Sequence, residues 1–292
     1  MMSAVLSNPN HPEYGVATIP LPIPRDQYTY CMDLLEALEI GDAVKTDCKV
    51  EKVDSFYTVL KRAEMLTVNV EELNYLAKRL DSFDTGEAAQ FQAMAHKLEL
   101  FELKDLINLT FCCQQATVIT DFSDLAAVGR NHYMNLHGGC AKTEGLNALD
   151  DKGTARQLIE SGSGTVTPYG VVYDNGMKLE QVYDGRFFPC YYYEPNVITV
   201  AVTSKAEPED TEHITWLFLP MVQEEIDRAL LRGGITDPAD VRLRLEDSQL
   251  PNEVDVLLDM EYETLSDLNE LAAATDGLSK ADMEKLGAVV TL

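Results

Sequence analysis

The sequence is poor in positive charge. Lys and Arg number 23 against 49 Asp and Glu, leaving a net charge of −26 and a pI near 4.4. A protein that binds nucleic acid directly is excluded, because phosphates must be met by Lys and Arg. Apolar runs are short: none approaches the ~18 residues of a membrane span. The first residues, Met1 to Pro9, have neither the basic start nor the sustained apolar run of a secretory signal. The six cysteines form no C-x-x-C pair and fit reduced, buried thiols in a cytoplasmic protein. Catalytic motifs are missing too: there is no Walker loop, no G-x-G-x-x-G after a strand, no H-E-x-x-H and no G-x-S-x-G. The D-x-D-x-D-G calcium loop is absent. His132, His137 and Cys140 lack a fourth ligand and match no standard zinc spacing. These absences point to a protein that is not an enzyme and needs no cofactor or metal.

What is present is enough to fold. At 292 residues and 46 % apolar content, the chain can bury two or more small cores. Self-repulsion at this net charge works against compactness. Solubility, salt adaptation or a general acidic bias would explain the excess blandly. A partner that expects a polyanion explains it more sharply.

One stretch recurs. Leu73, Leu76, Ala77 and Leu80 lie at i, i+3, i+4 and i+7, the spacing of one helix face, with Asn69 as N-cap and Glu72 completing a capping box. The pattern returns at Leu268, Leu271 and Ala272, with Thr264 in the capping place. Upstream, Ala17-Thr18-Ile19-Pro20-Leu21-Pro22 is matched by Thr215-Trp216-Leu217-Phe218-Leu219-Pro220, and Val53-Asp54-Ser55 by Glu246-Asp247-Ser248. Residues 213–292 are therefore expected to be a partial repeat of 15–94.

Between these landmarks the periodicities predict a strand at 15–21, a helix at 25–40 closed by Gly41, a strand at 45–53 and a strand or short helix at 56–63. Helices follow at 87–97 and 98–111. A strand at 116–119 precedes a helix before His137-Gly138-Gly139, and a short helix falls within 150–163. Segments 169–173, 181–183, 187–193 and 197–203 read as β-rich, with Asn175-Gly176 as a hairpin turn. The expected fold is α+β: an elongated chain of several small domains. These are an N-terminal α+β module (12–65), an acidic helical module (66–111), a β-rich α+β module (112–204), an acidic linker (205–212) and the C-terminal partial repeat (213–292).

Acidity is uneven. Residues 207–292 hold 21 acidic and 6 basic residues. Carboxylates three or four residues apart on a helix lie ~5–6 Å from one another, near the spacing of phosphates along one DNA strand. Rows such as Asp33/Glu36/Glu39 and Glu99/Glu102 can imitate such a run. Taken one at a time, these residues are ordinary helix surface, and Glu71, Glu72 and Asp267 suit helix N-termini. Taken together they define a candidate partner-binding surface. Its first part comprises Asp33, Glu36, Glu39, Asp42, Glu51, Asp54, Glu71, Glu72, Asp81, Asp84, Glu99, Glu102 and Asp105. Its second comprises Glu224, Glu225, Asp227, Glu246, Asp247, Asp255, Asp259, Glu261, Glu263, Asp267 and Glu270. The aromatic run Phe187-Phe188 to Tyr191-Tyr192-Tyr193 has only Arg186 as a basic neighbour, which favours sheet core or a protein interface over base stacking.

Several segments resemble the ArdA antirestriction proteins. They are Gly15-Val16-Ala17-Thr18-Ile19-Pro20-Leu21-Pro22 with the acidic helix after it, Val70-Glu71-Glu72-Leu73-Asn74-Tyr75-Leu76-Ala77, the stretch from Thr117-Val118-Ile119-Thr120-Asp121-Phe122 to Arg130, and Gly170-Val171-Val172-Tyr173-Asp174-Asn175-Gly176. The resemblance covers about residues 12–176. It implies a DNA mimic, carried on plasmids and conjugative transposons, that occupies the DNA groove of type I restriction-modification enzymes and protects incoming mobile-element DNA. It further implies a curved, elongated α+β fold that forms a homodimer. Ala17-Thr18 departs from the aromatic often found there, and everything beyond about Tyr183 is additional. A mimic aimed at another defence protein, such as a CRISPR effector, or an acidic protein–protein adaptor would share much of this pattern.

Overall fold

The computed structural model describes residues 2–207 and 210–290. In chain order the elements are β1 (Met2–Ser7), β2 (Val16–Leu21), α1 (Tyr28–Glu36), β3 (Cys48–Asp54), β4 (Thr67–Val68), α2 (Val70–Asp81), α3 (Thr85–Lys97), α4 (Leu103–Leu109), β5 (Thr117–Ile119), α5 (Leu125–Leu136), α6 (Thr143–Asn147), α7 (Asp151–Glu160), β6 (Thr165–Thr167) and β7 (Gly170–Tyr173). Then come β8 (Ile198–Ser204), β9 (Thr215–Leu219), α8 (Gln223–Arg232), β10 (Val241–Ser248), α9 (Asn252–Asp255), α10 (Leu265–Thr275) and α11 (Lys280–Val290). The mixed α/β character expected from the periodicities is present, with three small antiparallel sheets among the described residues.

Two compact units share the chain. The first is Met1–Pro22 with Asp47–Tyr183; the second is Ile23–Thr46 with Asp184–Leu292.

In the first unit the sheet runs β2-β1-β3-β4. Alternation along β2 buries Ala17, Ile19 and Leu21, as period-two patterning requires. A bulge opposite Val5/Leu6 shifts the phase of β3, so that Cys48, Val50 and Val53 all face inward. Helix α2 starts where Asn69 accepts the Glu72 amide at 3.1 Å and buries Leu73, Leu76 and Leu80. Helix α3 starts on a reciprocal capping box between Asp84 and Glu87. Its Phe91 is fully buried, with Tyr57 and Phe83 meeting it edge-on at 6.0 and 6.2 Å. A second sheet, β5-β7-β6, carries α5 and α7 on a core of Ile119, Val128, Ala155, Leu158 and Tyr173. Those helices approach closely at Gly129, where an added Cβ would lie 1.8 Å from the Asp151 carbonyl oxygen.

In the second unit the sheet runs β10-β8-β9. Central β8 is buried from Ile198 to Thr203, which explains its nearly unbroken apolar run. Val200, Val202, Leu217, Leu219, Ile226, Leu230, Leu243 and Leu268 form one core. Asn269 of α10 accepts the Met221 amide at 2.8 Å and donates to the Met221 carbonyl at 2.9 Å, pinning the chain just after β9. The segment around α1 belongs here: Arg228 donates to the Gly41 carbonyl at 2.7 Å and Arg232 to the Ala43 carbonyl at 2.9 Å.

Four local expectations change. Strand β1, central to its sheet, was not foreseen, because its short run has no turn signal ahead of it. Segments 181–183 and 187–193 are not strands: the Tyr183 backbone is held by the Asn108 side chain, and the aromatics pack on side chains, Tyr192 on Phe218 at 5.2 Å and Phe188 under Arg232 at 4.4 Å. Asn175-Gly176 turns with positive φ at both residues, but no pairing strand follows it. Residues 205–212, expected as a linker, connect the paired strands β8 and β9, with 208–209 outside the described residues.

Candidate functional site

Acidic side chains occupy the surface of both units, but by different local routes. On α1 of the second unit, Asp33 and Glu36 are exposed one turn apart. Glu39 does not extend that helical row. The helix ends at Glu36, and the chain reverses through Glu39 at φ 55°, with Ile40 donating to the Leu35 carbonyl at 3.1 Å. Gly41, expected to close the helix, also has positive φ, against Leu35. Asp42 accepts Lys45 at 2.9 Å and the amides of Val44 and Lys45. Partial burial pushes its carboxyl pKa up, but those donors outweigh it and hold it at about 2.

The row Glu99/Glu102 is not helical either. Glu99 sits beyond α3 at φ 55°, and Glu102 is the residue before α4. Asp105 lies in the first turn of α4, as Glu71 and Glu72 do in α2, Glu224 and Glu225 in α8 and Asp267 in α10. At those sites a carboxylate complements the positive end of the helix.

Other candidates have built-in partners. The Glu72 carboxylate accepts the Tyr183 hydroxyl at 2.7 Å. Glu51 on β3 takes Lys49 at 2.8 Å and Ser7 at 2.7 Å, which together lower its pKa. Asp84 caps α3, Asp227 accepts Gln223, Glu246 pairs with Arg244, Asp255 accepts Ser248, and Glu261 lies 4.0 Å from Arg242. Asp259 accepts the Glu261 amide and Asp267 the Thr264 hydroxyl. Exposed Asp81 faces Tyr57, whose phenol is raised to about 12 by burial first and then by Asp81 and Glu87. Among the described residues, Asp33, Glu36, Asp54, Glu99, Glu102, Asp247, Glu263 and Glu270 have no cation or hydrogen-bond donor on the carboxylate.

His132 and His137 both have local partners. His132 meets Thr117 Oγ1 at 2.9 Å, and His137 meets the Tyr133 carbonyl at 2.7 Å. No group of three or more His, Cys, Asp or Glu side chains among the described residues is arranged to hold a metal ion. No described helix is long and apolar enough to cross a membrane.

Glu99 stands at an awkward point. The left-handed conformation costs an L-residue roughly 1–2 kcal/mol, and a carboxylate opposes the negative helix end. Helix α8 meets the same turn with Gly234 at φ 83°, where Ile235 donates to Leu230. Glu99→Gly is therefore expected to raise stability by about 1 kcal/mol in urea unfolding; unchanged or lower stability would show that the carboxylate is held in place by its surroundings.

Sequence reasoning overlooked the apolar side chains among the C-terminal acids. Val256, Leu257 and Tyr262 are exposed beside Asp255, Asp259, Glu261 and Glu263. The available signal was apolar residues that fit neither helix nor strand period within a stretch free of cations. No protein-family model matches the chain, and a search of curated proteins finds no match.

Proposed function

We propose that the chain is a non-enzymatic DNA mimic of the ArdA type that occupies the DNA-binding groove of a type I restriction-modification enzyme. The observation that carries this reading is the set of exposed carboxylates with no compensating cation, spread over both units, in a protein of net charge −26. Isolated like charges on a surface cost stability rather than adding it. A basic groove would neutralise them and release the counterions it holds.

The mimic is built of small α+β modules, and the C-terminal part is a partial second copy of the first. Three observations support the duplication. The sheets β2-β1-β3 and β9-β8-β10 have the same strand order. Each central strand pairs through a bulge with the third. The helices capped by Asn69 and Thr264 follow at matching places. The protein acts in the cytoplasm of the host, without cofactor and without binding nucleic acid itself.

The test is competition with DNA for a purified type I enzyme. At low salt the chain should displace a DNA duplex. If six or more cations of the groove are engaged, affinity should fall on the order of 10³-fold between about 0.05 and 0.2 M salt. Failure to compete at low salt would remove the basis for mimicry.

A further inference from the structure

The second unit holds a surface that phosphate mimicry does not require. Between β10 and α10 the chain is tied inward by Leu250 and Val254, which are buried, and by Leu258 and Met260, which pack on the same core. The intervening Val256 and Leu257 are held outward, 83 % and 64 % exposed, and Tyr262 is 81 % exposed. From Leu245 to Ser279 the sequence carries ten Asp and Glu and no Lys, Arg or His. Three large apolar side chains thus stand in an acidic segment, at whose edge Arg242 approaches Glu261 to 4.0 Å.

Apolar residues here are not the default of this segment. Counting back from the two helix caps, Asn69 and Thr264, buried Val59 of the first unit corresponds to buried Val254. By the same count the exposed Lys61 and Arg62 correspond to Val256 and Leu257. The second segment keeps the inward anchor and carries two apolar side chains where the first has two cations.

We infer that residues 253–263 dock a cationic amphipathic segment of another protein, in which Lys and Arg flank Leu, Phe or Trp. Charge complementarity selects this occupant. A second copy of the chain would bring its own excess of carboxylates, and an anionic lipid surface would likewise be repelled. DNA-binding grooves read phosphates with cations and leave Val256, Leu257 and Tyr262 without a match. An amphipathic helix meets both requirements, with apolar anchors buried on the patch and cations on its acidic rim. The inference stands apart from mimicry, because its probe need not be a DNA-binding protein.

The full chain would be titrated with a labelled Lys/Leu/Trp amphipathic peptide and with oligolysine of equal charge. The amphipathic peptide should bind at least about tenfold more tightly. The advantage should persist from about 0.05 to 0.5 M salt, while oligolysine binding is screened away. The V256S/L257S/Y262S variant should bring the amphipathic peptide down to the oligolysine level and leave oligolysine unchanged. Because these side chains lie outside the core, its unfolding midpoint should match that of the parent, which certifies the comparison. Equal binding of the two peptides, or undiminished binding by a folded variant, would overturn the inference.

Discussion

Arg232→Ala should destabilise the second unit by about 2–4 kcal/mol, because it removes the donor of a buried carbonyl, two further hydrogen bonds and a ring contact. The Arg232 side chain ends α8 almost wholly buried, at 5 % exposure. Its guanidinium donates to the carbonyls of Ala43 at 2.9 Å, Arg186 at 2.9 Å and Gly185 at 3.2 Å, and lies over the Phe188 ring. Arg186 returns a bond to the Arg232 carbonyl at 2.7 Å. Truncation leaves the buried Ala43 carbonyl without this donor, at about 1–3 kcal/mol, opens the carbonyls of exposed Gly185 and Arg186 to water, and removes the contact with the ring. Lysine would not rescue it, since one ammonium cannot reach carbonyls that the planar fork serves together. The sole tryptophan, Trp216, sits on β9 of this unit, so its fluorescence during urea unfolding reports the effect locally. A loss below about 1 kcal/mol would mean that water or neighbouring donors replace the guanidinium.

Asn108→Leu should cost the first unit about 2–4 kcal/mol, because it orphans two buried backbone groups at once. Asn108 is fully buried on α4; its Oδ1 accepts the Tyr183 amide at 2.7 Å and its Nδ2 donates to the Tyr183 carbonyl at 3.0 Å. A leucine of similar volume keeps the packing and loses both bonds, so the effect isolates the hydrogen bonds from cavity formation. Hydrogen exchange at the Tyr183 amide should accelerate in step with global stability, since this amide has no sheet partner to shield it. Slow exchange retained in the variant would refute the assignment. Freed of Asn108, Tyr183 would also position Glu72 less firmly, linking one candidate acidic residue to the core.

These two anchors mark where sequence reasoning failed. Helices α2 and α3 were legible because caps and apolar spacing agree within a dozen residues. Strand β9 was legible from its match with β2. Asn108 and Arg232 were not, because their partners are distant in sequence and polar residues in helices default to solvent. Tyr183 looked like strand because aromatics favour sheets, yet no ladder receives it. For the candidate surface, helical spacing misplaced two residues. Asp33 and Glu36 do share a helix, whereas Glu39 and Glu99 fall in left-handed turns that helical spacing alone cannot reveal. Val256 and Leu257 were hidden by the assumption that apolar residues point inward.

The second unit is assembled from pieces of chain far apart in synthesis. Residues 23–46 emerge early, yet the groups that receive them, Arg228 and Arg232, lie 187 and 189 positions from their partners Gly41 and Ala43. Closing a loop of that length costs on the order of 4–5 kcal/mol of chain entropy before any contact is gained. Until then, Cys31, Met32 and Leu35 must wait on the ribosome without the surroundings that bury them. Cutting the gene after residue 183 would therefore not yield two self-sufficient halves. The upstream fragment would carry an orphaned apolar helix, and the downstream fragment would have unfilled donors where Gly41 and Ala43 belong.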